Sequence, residues 1–182
     1  MASIADNNKN EAQLLGVHIG AGSLDDLTGR SLLAIDGKAP RVTFACANPH
    51  SLVVAQQDAE FLAALRRTTF VVADGVGVSL VASLSHVDVG PRITGHCYFE
   101  AVLQALSDRG HGRVFFFGST EAVLAQIGAR LAREYPALTL CGTLAPPFGD
   151  WSAEENAAMV ARINAARPDV LWVGMTAPKQ EK

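Results

Sequence analysis

Six short runs of the chain are almost wholly apolar: Leu14–Ile19, Val42–Cys46, Phe70–Ala73, Val114–Phe117, Leu138–Cys141 and Val170–Gly174. Each ends in, or is followed by, a small or polar residue. Runs that do not alternate predict strands covered on both faces, as in a parallel sheet. The segments between them carry helical punctuation. Asn48-Pro49 supplies an N-cap with proline at the first helical position. Asp58 can cap Ala59–Arg67, where Phe61, Leu62 and Leu65 share one face. Phe99, Val102, Leu103 and Leu106 repeat at helical spacing before a stop at Gly110, and Val123, Leu124, Ile127 and Leu131 do so before Pro136. Ser152 and Glu155 form a capping box ahead of Met159 and Ile163. Strand and helix alternate through short joints, which predicts an α/β fold, a Rossmann-like three-layer sandwich with a mostly parallel sheet. Residues 1–12 read as a polar, disordered leader and 13–182 as a single α/β domain without an interdomain linker.

Composition narrows the class. The 182 residues are 49% hydrophobic and 18% charged, which excludes a disordered chain. Fifteen Lys+Arg against 18 Asp+Glu give a formal charge of −3, so a basic nucleic-acid-binding domain is not expected. The first residues lack an apolar signal core. No run reaches the ~18 apolar residues of a membrane span. Cys46, Cys97 and Cys141 form no CxxC pair, and the five histidines show no ligand spacing, so no metal and no cofactor is expected. For Cys97 a buried or half-buried thiol is the expectation.

In open parallel sheets, ligands bind beyond the carboxyl ends of the strands. Those ends are polar or glycine-rich here: Cys46-Ala47-Asn48-Pro49-His50, Asp74-Gly75-Val76-Gly77, Gly118-Ser119-Thr120, Gly142-Thr143, and Gly174 through Glu181. Gly75-x-Gly77 is an incomplete dinucleotide fingerprint, since Leu80 stands at the third glycine, which argues against an NAD-dependent oxidoreductase. Gly118-Ser119-Thr120 opening a helix suits an anion, and equally suits ordinary N-capping. Asp74 ends an apolar strand before glycines that let a ligand approach the backbone. It is either a turn-maker or a general base towards a hydroxyl. Asn48 is explained equally as an N-cap.

Taken together, these signatures make the chain resemble the WecG/TagA/CpsF family of bacterial glycosyltransferases (glycosyltransferase family 26). The resemblance runs from Leu15-Gly16-Val17 to the last residue. It rests on Ala47-Asn48-Pro49, Ala73-Asp74-Gly75-Val76-Gly77-Val78, Arg92-Ile93-Thr94-Gly95, Phe116-Phe117-Gly118, Tyr135-Pro136-Ala137-Leu138 and Pro146-Pro147-Phe148. The final stretch is the strongest match: Pro168-Asp169-Val170-Leu171-Trp172-Val173-Gly174, then Ala177-Pro178-Lys179-Gln180-Glu181-Lys182.

The resemblance implies an inverting transfer of a sugar (N-acetylmannosamine, its uronic acid, or glucose) from a UDP-sugar donor to a polyprenyl-diphosphate-linked saccharide acceptor. The setting it implies is cell-surface or exopolysaccharide biosynthesis at the cytoplasmic face of the membrane. It gives Asp74 the role of catalytic base. Substrate binding falls to Asn48, Gly75, Gly77, Arg92 and Gln180, with Gly118, Ser119 and Thr120 facing the leaving diphosphate. No DxD pair marks a metal-held diphosphate, so a metal-independent mechanism is expected. No nucleic-acid partner is implied, and a homo-oligomer is compatible with the family. Three positions depart from it: Cys46 where threonine is frequent, His50 where many have glutamate, and Cys97 where aspartate is common. Members continue beyond the Pro-Lys-Gln-Glu motif with a basic, apolar segment that contacts the membrane. This chain ends at Lys182, so peripheral membrane contact is expected only of an extended form. The alternative reading is a truncated, non-catalytic nucleotide-sugar-binding domain.

Overall fold

The computed structural model describes residues 12–182 apart from 21, 85 and 87, so the leader lies, but for its last residue, outside the described residues. The elements run in order β1 (Ala12–Leu14), β2 (Val17–Ile19), α1 (Leu24–Ile35), β3 (Phe44–Ala47), α2 (Pro49–Gln57), α3 (Ala59–Arg67) and β4 (Phe70–Ala73). They continue with α4 (Val76–Leu84), α5 (Gly95–Asp108), β5 (Arg113–Gly118), α6 (Glu121–Glu134), β6 (Thr139–Leu144), α7 (Ala153–Ala166) and β7 (Val170–Gly174). Parallel strand pairs joined through helices make this the Rossmann-like α/β arrangement that the apolar runs predict. The residues divide into two compact units, one holding the chain up to Val102 together with Ala177–Lys182, the other Leu103–Thr176.

In the first unit, β3 and β4 pair in parallel, Phe44 opposite Phe70 and Ala47 opposite Ala73. All four β4 residues are buried, as a run without alternation requires. The run Leu14–Ile19, predicted as one strand, is instead an antiparallel hairpin, with Leu14 opposite Val17. Leu15 and Gly16 both take positive φ, 50° and 77°, the backbone of a tight two-residue hairpin turn. Its two carbonyls are satisfied from neighbouring helices: Gln56 Nε2 donates to Leu15 O (2.8 Å) and Arg66 Nε to Gly16 O (2.9 Å). The hairpin joins the core through Gly20 N–H, which donates to Val71 O at 3.0 Å. Val17, Ile19, Phe61, Leu65, Val71 and Val78 are the heart of that core. Two helices escaped the sequence reading. In α1 the polar first turn is capped by Ser23 and Asp26, and α4 begins immediately after the strand-end glycine.

In the second unit, β5 is central between β6 and β7, parallel to both. The strand predicted at Leu138–Cys141 runs on to Leu144. The register slips between Val114 and Phe115, which pair with Leu140 and Gly142, leaving Cys141 as the extra residue of a bulge. Its thiol donates to Val114 O at 3.3 Å. Gly142 lies against the Phe115 ring, where a Cβ would come within 2.5 Å of Cε2. Double-sided burial holds for β5 but not for β7, whose Leu171 and Val173 are 40% and 37% exposed.

Candidate active site

The sequence-predicted residues fall into two groups. Asn48, Asp74, Gly75, Gly77, Arg92 and Gln180 belong to the first unit; Gly118, Ser119 and Thr120 belong to the second.

In the first unit, parallel pairing delivers Asn48 and Asp74 side by side. Ala47 and Ala73 are in register, and Asp74 N–H donates to Ala47 O at 2.9 Å. Asn48 caps α2: its Oδ1 accepts from Ser51 N–H (2.8 Å), while Ser51 Oγ accepts from Asn48 N–H (2.9 Å). The cap occupies Oδ1, which leaves the amide nitrogen as the group that can meet a ligand. Gly75 has φ +90° with open space where a Cβ would stand. Backbone conformation rather than crowding selects glycine there, and the space lets a ligand reach the chain. Gly77 is selected by contact: a Cβ would sit 2.7 Å from Pro49 Cγ, so α4 starts hard against the first turn of α2.

The α5 N-terminus reaches the same place. A Cβ on Gly95 would lie 3.3 Å from Cys46 Sγ. Tyr98 in this first turn stacks on Phe44 with ring centroids 4.0 Å apart and shares a 2.6 Å hydrogen bond with Ser31. Arg92, exposed, stands three residues before α5 in the irregular stretch whose Ile93 is buried. Cys97, expected to be at least half-buried, is exposed; it sits in the first helical turn, with Thr94 Oγ1 donating to Sγ at 3.1 Å.

Residues 177–182 bring in Gln180. Ala177 packs against the first unit's core. Lys182 Nζ pairs with Asp58 Oδ2 (2.6 Å) and Glu60 Oε2 (3.3 Å) at the start of α3. Asp58 holds the Lys182 ammonium above its ordinary value, and Lys182 in turn holds Asp58 below the usual carboxylate range. Gln180 Nε2 donates to Glu181 Oε1 at 2.6 Å.

Cys46 registers the electrostatics of this cluster. Burial, then the negative charge of Asp74, pushes its thiol up to about 11; the Gly95 N–H opposes this and Glu181 adds to it. Cys46 is therefore a neutral thiol at physiological pH and no nucleophile. Burial also raises the Glu181 carboxyl, offset in part by the Gln180 hydrogen bond. Glu181 is the residue that sequence reasoning passed over, though it adjoins Gln180 in the same motif.

In the second unit, Gly118 (φ +121°) meets Gly174, whose carbonyl oxygen a Cβ would approach to 2.3 Å. Ser119, at φ 57°, donates its N–H to Gly174 O at 3.1 Å. Thr120 caps α6, its Oγ1 accepting from Val123 N–H at 3.3 Å. The Ser119 N–H is thus already engaged, and the Thr120 hydroxyl already serves as a cap.

Residues 12–182 match the model of the glycosyl transferase WecG/TagA/CpsF family. Two relatives bear the name N-acetylglucosaminyldiphosphoundecaprenol N-acetyl-beta-D-mannosaminyltransferase. The one from Bacillus spizizenii (strain ATCC 23059 / NRRL B-14472 / W23) is 30% identical over 135 residues, and that from Bacillus subtilis (strain 168) is 26% identical over 135 residues. Each match covers 74% of this chain and 50% of the relative, so the chain spans about half the length of the curated relatives it matches.

Proposed function

The chain belongs to the WecG/TagA/CpsF glycosyl transferase family, and from that premise we propose that it is an inverting glycosyltransferase. It moves a sugar from a UDP-sugar to a polyprenyl-diphosphate-linked saccharide. The observation that carries this reading is the juxtaposition of Asp74 and Asn48 at adjacent strand ends, tied by the Asp74 N–H to Ala47 O bond. The acceptor class follows the names of the relatives, and N-acetylmannosamine heads the donor candidates, ahead of its uronic acid and glucose. A lipid-linked acceptor puts the work at a membrane surface, in this reading the cytoplasmic face. Among the described residues no helix is long and apolar enough to cross a membrane.

The proposed chemistry needs one base and a stabilised leaving group. Asp74 takes the proton of the acceptor hydroxyl as that oxygen attacks the anomeric carbon. The bond from that carbon to the diphosphate oxygen breaks with its electron pair, and UDP departs. Arg92 supplies positive charge for the leaving diphosphate. The Asn48 amide nitrogen and Gln180 orient substrate hydroxyls. Gly75 and Gly77 keep the approach to Asp74 narrow in protein and open to ligand.

The test is a transfer assay over a panel of UDP-sugars with a short-chain polyprenyl-diphosphate saccharide, run on the chain and its Asp74→Asn variant. We expect transfer from at least one donor and a loss on the order of 100-fold or more in the variant, the scale of general-base catalysis, with UDP-sugar binding retained. Wild-type rates in Asp74→Asn overturn the base assignment. Binding without turnover in the unsubstituted chain favours a non-catalytic nucleotide-sugar-binding domain instead.

A further inference from the structure

We propose that Glu181 is a positioning residue: its carboxyl holds the Gln180 side-chain amide and so decides which way that amide faces a substrate at the Asp74 strand end. This deepens the glycosyltransferase reading and rests on it for the identity of the substrate.

Residues 177–182 are fixed at both ends. Ala177 packs against the core, and Lys182 is held by Asp58 and Glu60. A turn closes the stretch, with the Glu181 and Lys182 N–H groups both 3.3 Å from Pro178 O. Backbone anchoring alone does not orient a glutamine, because its terminal amide turns in a broad, roughly two-fold well that exchanges donor and acceptor. The 2.6 Å bond from Gln180 Nε2 to Glu181 Oε1 removes that freedom. With the nitrogen committed, Gln180 Oε1 and the second amide hydrogen remain for a substrate hydroxyl.

Glu181 is built for this in an unusual way. Its Oε2 is out of contact with water and has no hydrogen-bond partner. Burial pushes this carboxyl up and the Gln180 hydrogen bond pulls it back, so the bond to Gln180 is what the protein offers the group in place of water. Asp74 and Glu181 both act on the Cys46 thiol, which puts the Gln180–Glu181 pair in the neighbourhood of the Asp74 strand end.

The experiment uses the full chain with Glu181→Ala, Glu181→Gln, Gln180→Ala and the double variant, measuring kcat and KM for donor and acceptor and the side-chain amide resonances of Gln180. Glutamine at 181 retains a carbonyl acceptor and the shape of the side chain. We expect Glu181→Ala to raise KM for one substrate about tenfold with kcat within about twofold, Glu181→Gln to stay near wild type, and the double variant to match Gln180→Ala. The Gln180 amide pair should move towards free-amide positions in Glu181→Ala and remain in place in Glu181→Gln. Additive losses in the double variant, a Glu181→Gln as impaired as Glu181→Ala, or an unmoved amide pair overturn the proposal. If the chain transfers no sugar at all, the functional reading fails, and the amide resonances alone still decide whether Glu181 holds Gln180.

Discussion

Asp74 is the residue whose surroundings are most informative, and Cys46 beside it reports them. A thiol raised to about 11 by burial and by Asp74 holds its proton more tightly in the folded chain than in the unfolded one, where the ordinary value is 9.0. Its contribution to stability is therefore complete below pH 9 and is lost as pH rises from 9 through 11. At pH 8–9, iodoacetamide should label exposed Cys97 first. Labelling of Cys46 should be slower by on the order of tenfold or more and should keep accelerating up to about pH 11, read by mass spectrometry of the two peptides. Asp74 and Asn48 were legible in the sequence because a polar residue ending an apolar run has few places to go. The partnership of Gln180 and Glu181 was not. It depends on two side chains turning towards each other on a stretch whose spacing carries no periodic signal. The exposure of Cys97 was hidden for a related reason, since an apolar neighbourhood in sequence does not say which side of a helix a residue takes.

Glycines separate two kinds of constraint among the secondary-structure elements. Gly75, at the end of β4, needs its positive φ but has room for a Cβ; Gly118, at the end of β5, has neither freedom nor room. Gly75→Ala should therefore cost about 1–2 kcal/mol, the penalty of a left-handed alanine. Gly118→Ala adds a collision with the Gly174 backbone and should cost roughly 3 kcal/mol or more. Urea unfolding of the two variants beside the parent chain checks the order. Sequence reading identified β4 and β7 to the residue, and located the caps at Asn48, Asp58 and Ser152. It failed where local geometry interrupts a pattern. Leu15-Gly16 looks like the middle of a strand until both residues adopt positive φ, and Gly142-Thr143 looks like a strand end until Cys141 bulges and the pairing resumes. The α4 helix was hidden because its apolar residues, among them the exposed Val76, Leu80 and Leu84, do not form the one-sided stripe that marks a surface helix.

On the scale of the whole molecule, the first unit is discontinuous: it takes most of its elements from the start of the chain and its last six residues from the end. These six are half-buried at most, with Ala177 against the core and Lys182 in an ion pair at the start of α3, but they carry Gln180. Deleting residues 177–182 should lower Tm by only about 2–4 °C while removing sugar transfer. Calorimetry and the transfer assay on one preparation separate the two effects. No reading of local pattern could show that return, because the pairing of Lys182 with Asp58 spans most of the chain.

The same return sets an order of events during synthesis. The strand bearing Asp74 leaves the ribosome first and can pair with β3 at once, since their contacts are near in sequence. Gln180 and Glu181 follow roughly a hundred residues later, a delay of about 5–20 s at ordinary elongation rates. During that interval the proposed base and Asn48 exist without Gln180 and the Glu181 that would hold it. The strand pairing that presents Asp74 is thus available well before the residues proposed to complete the site beside it.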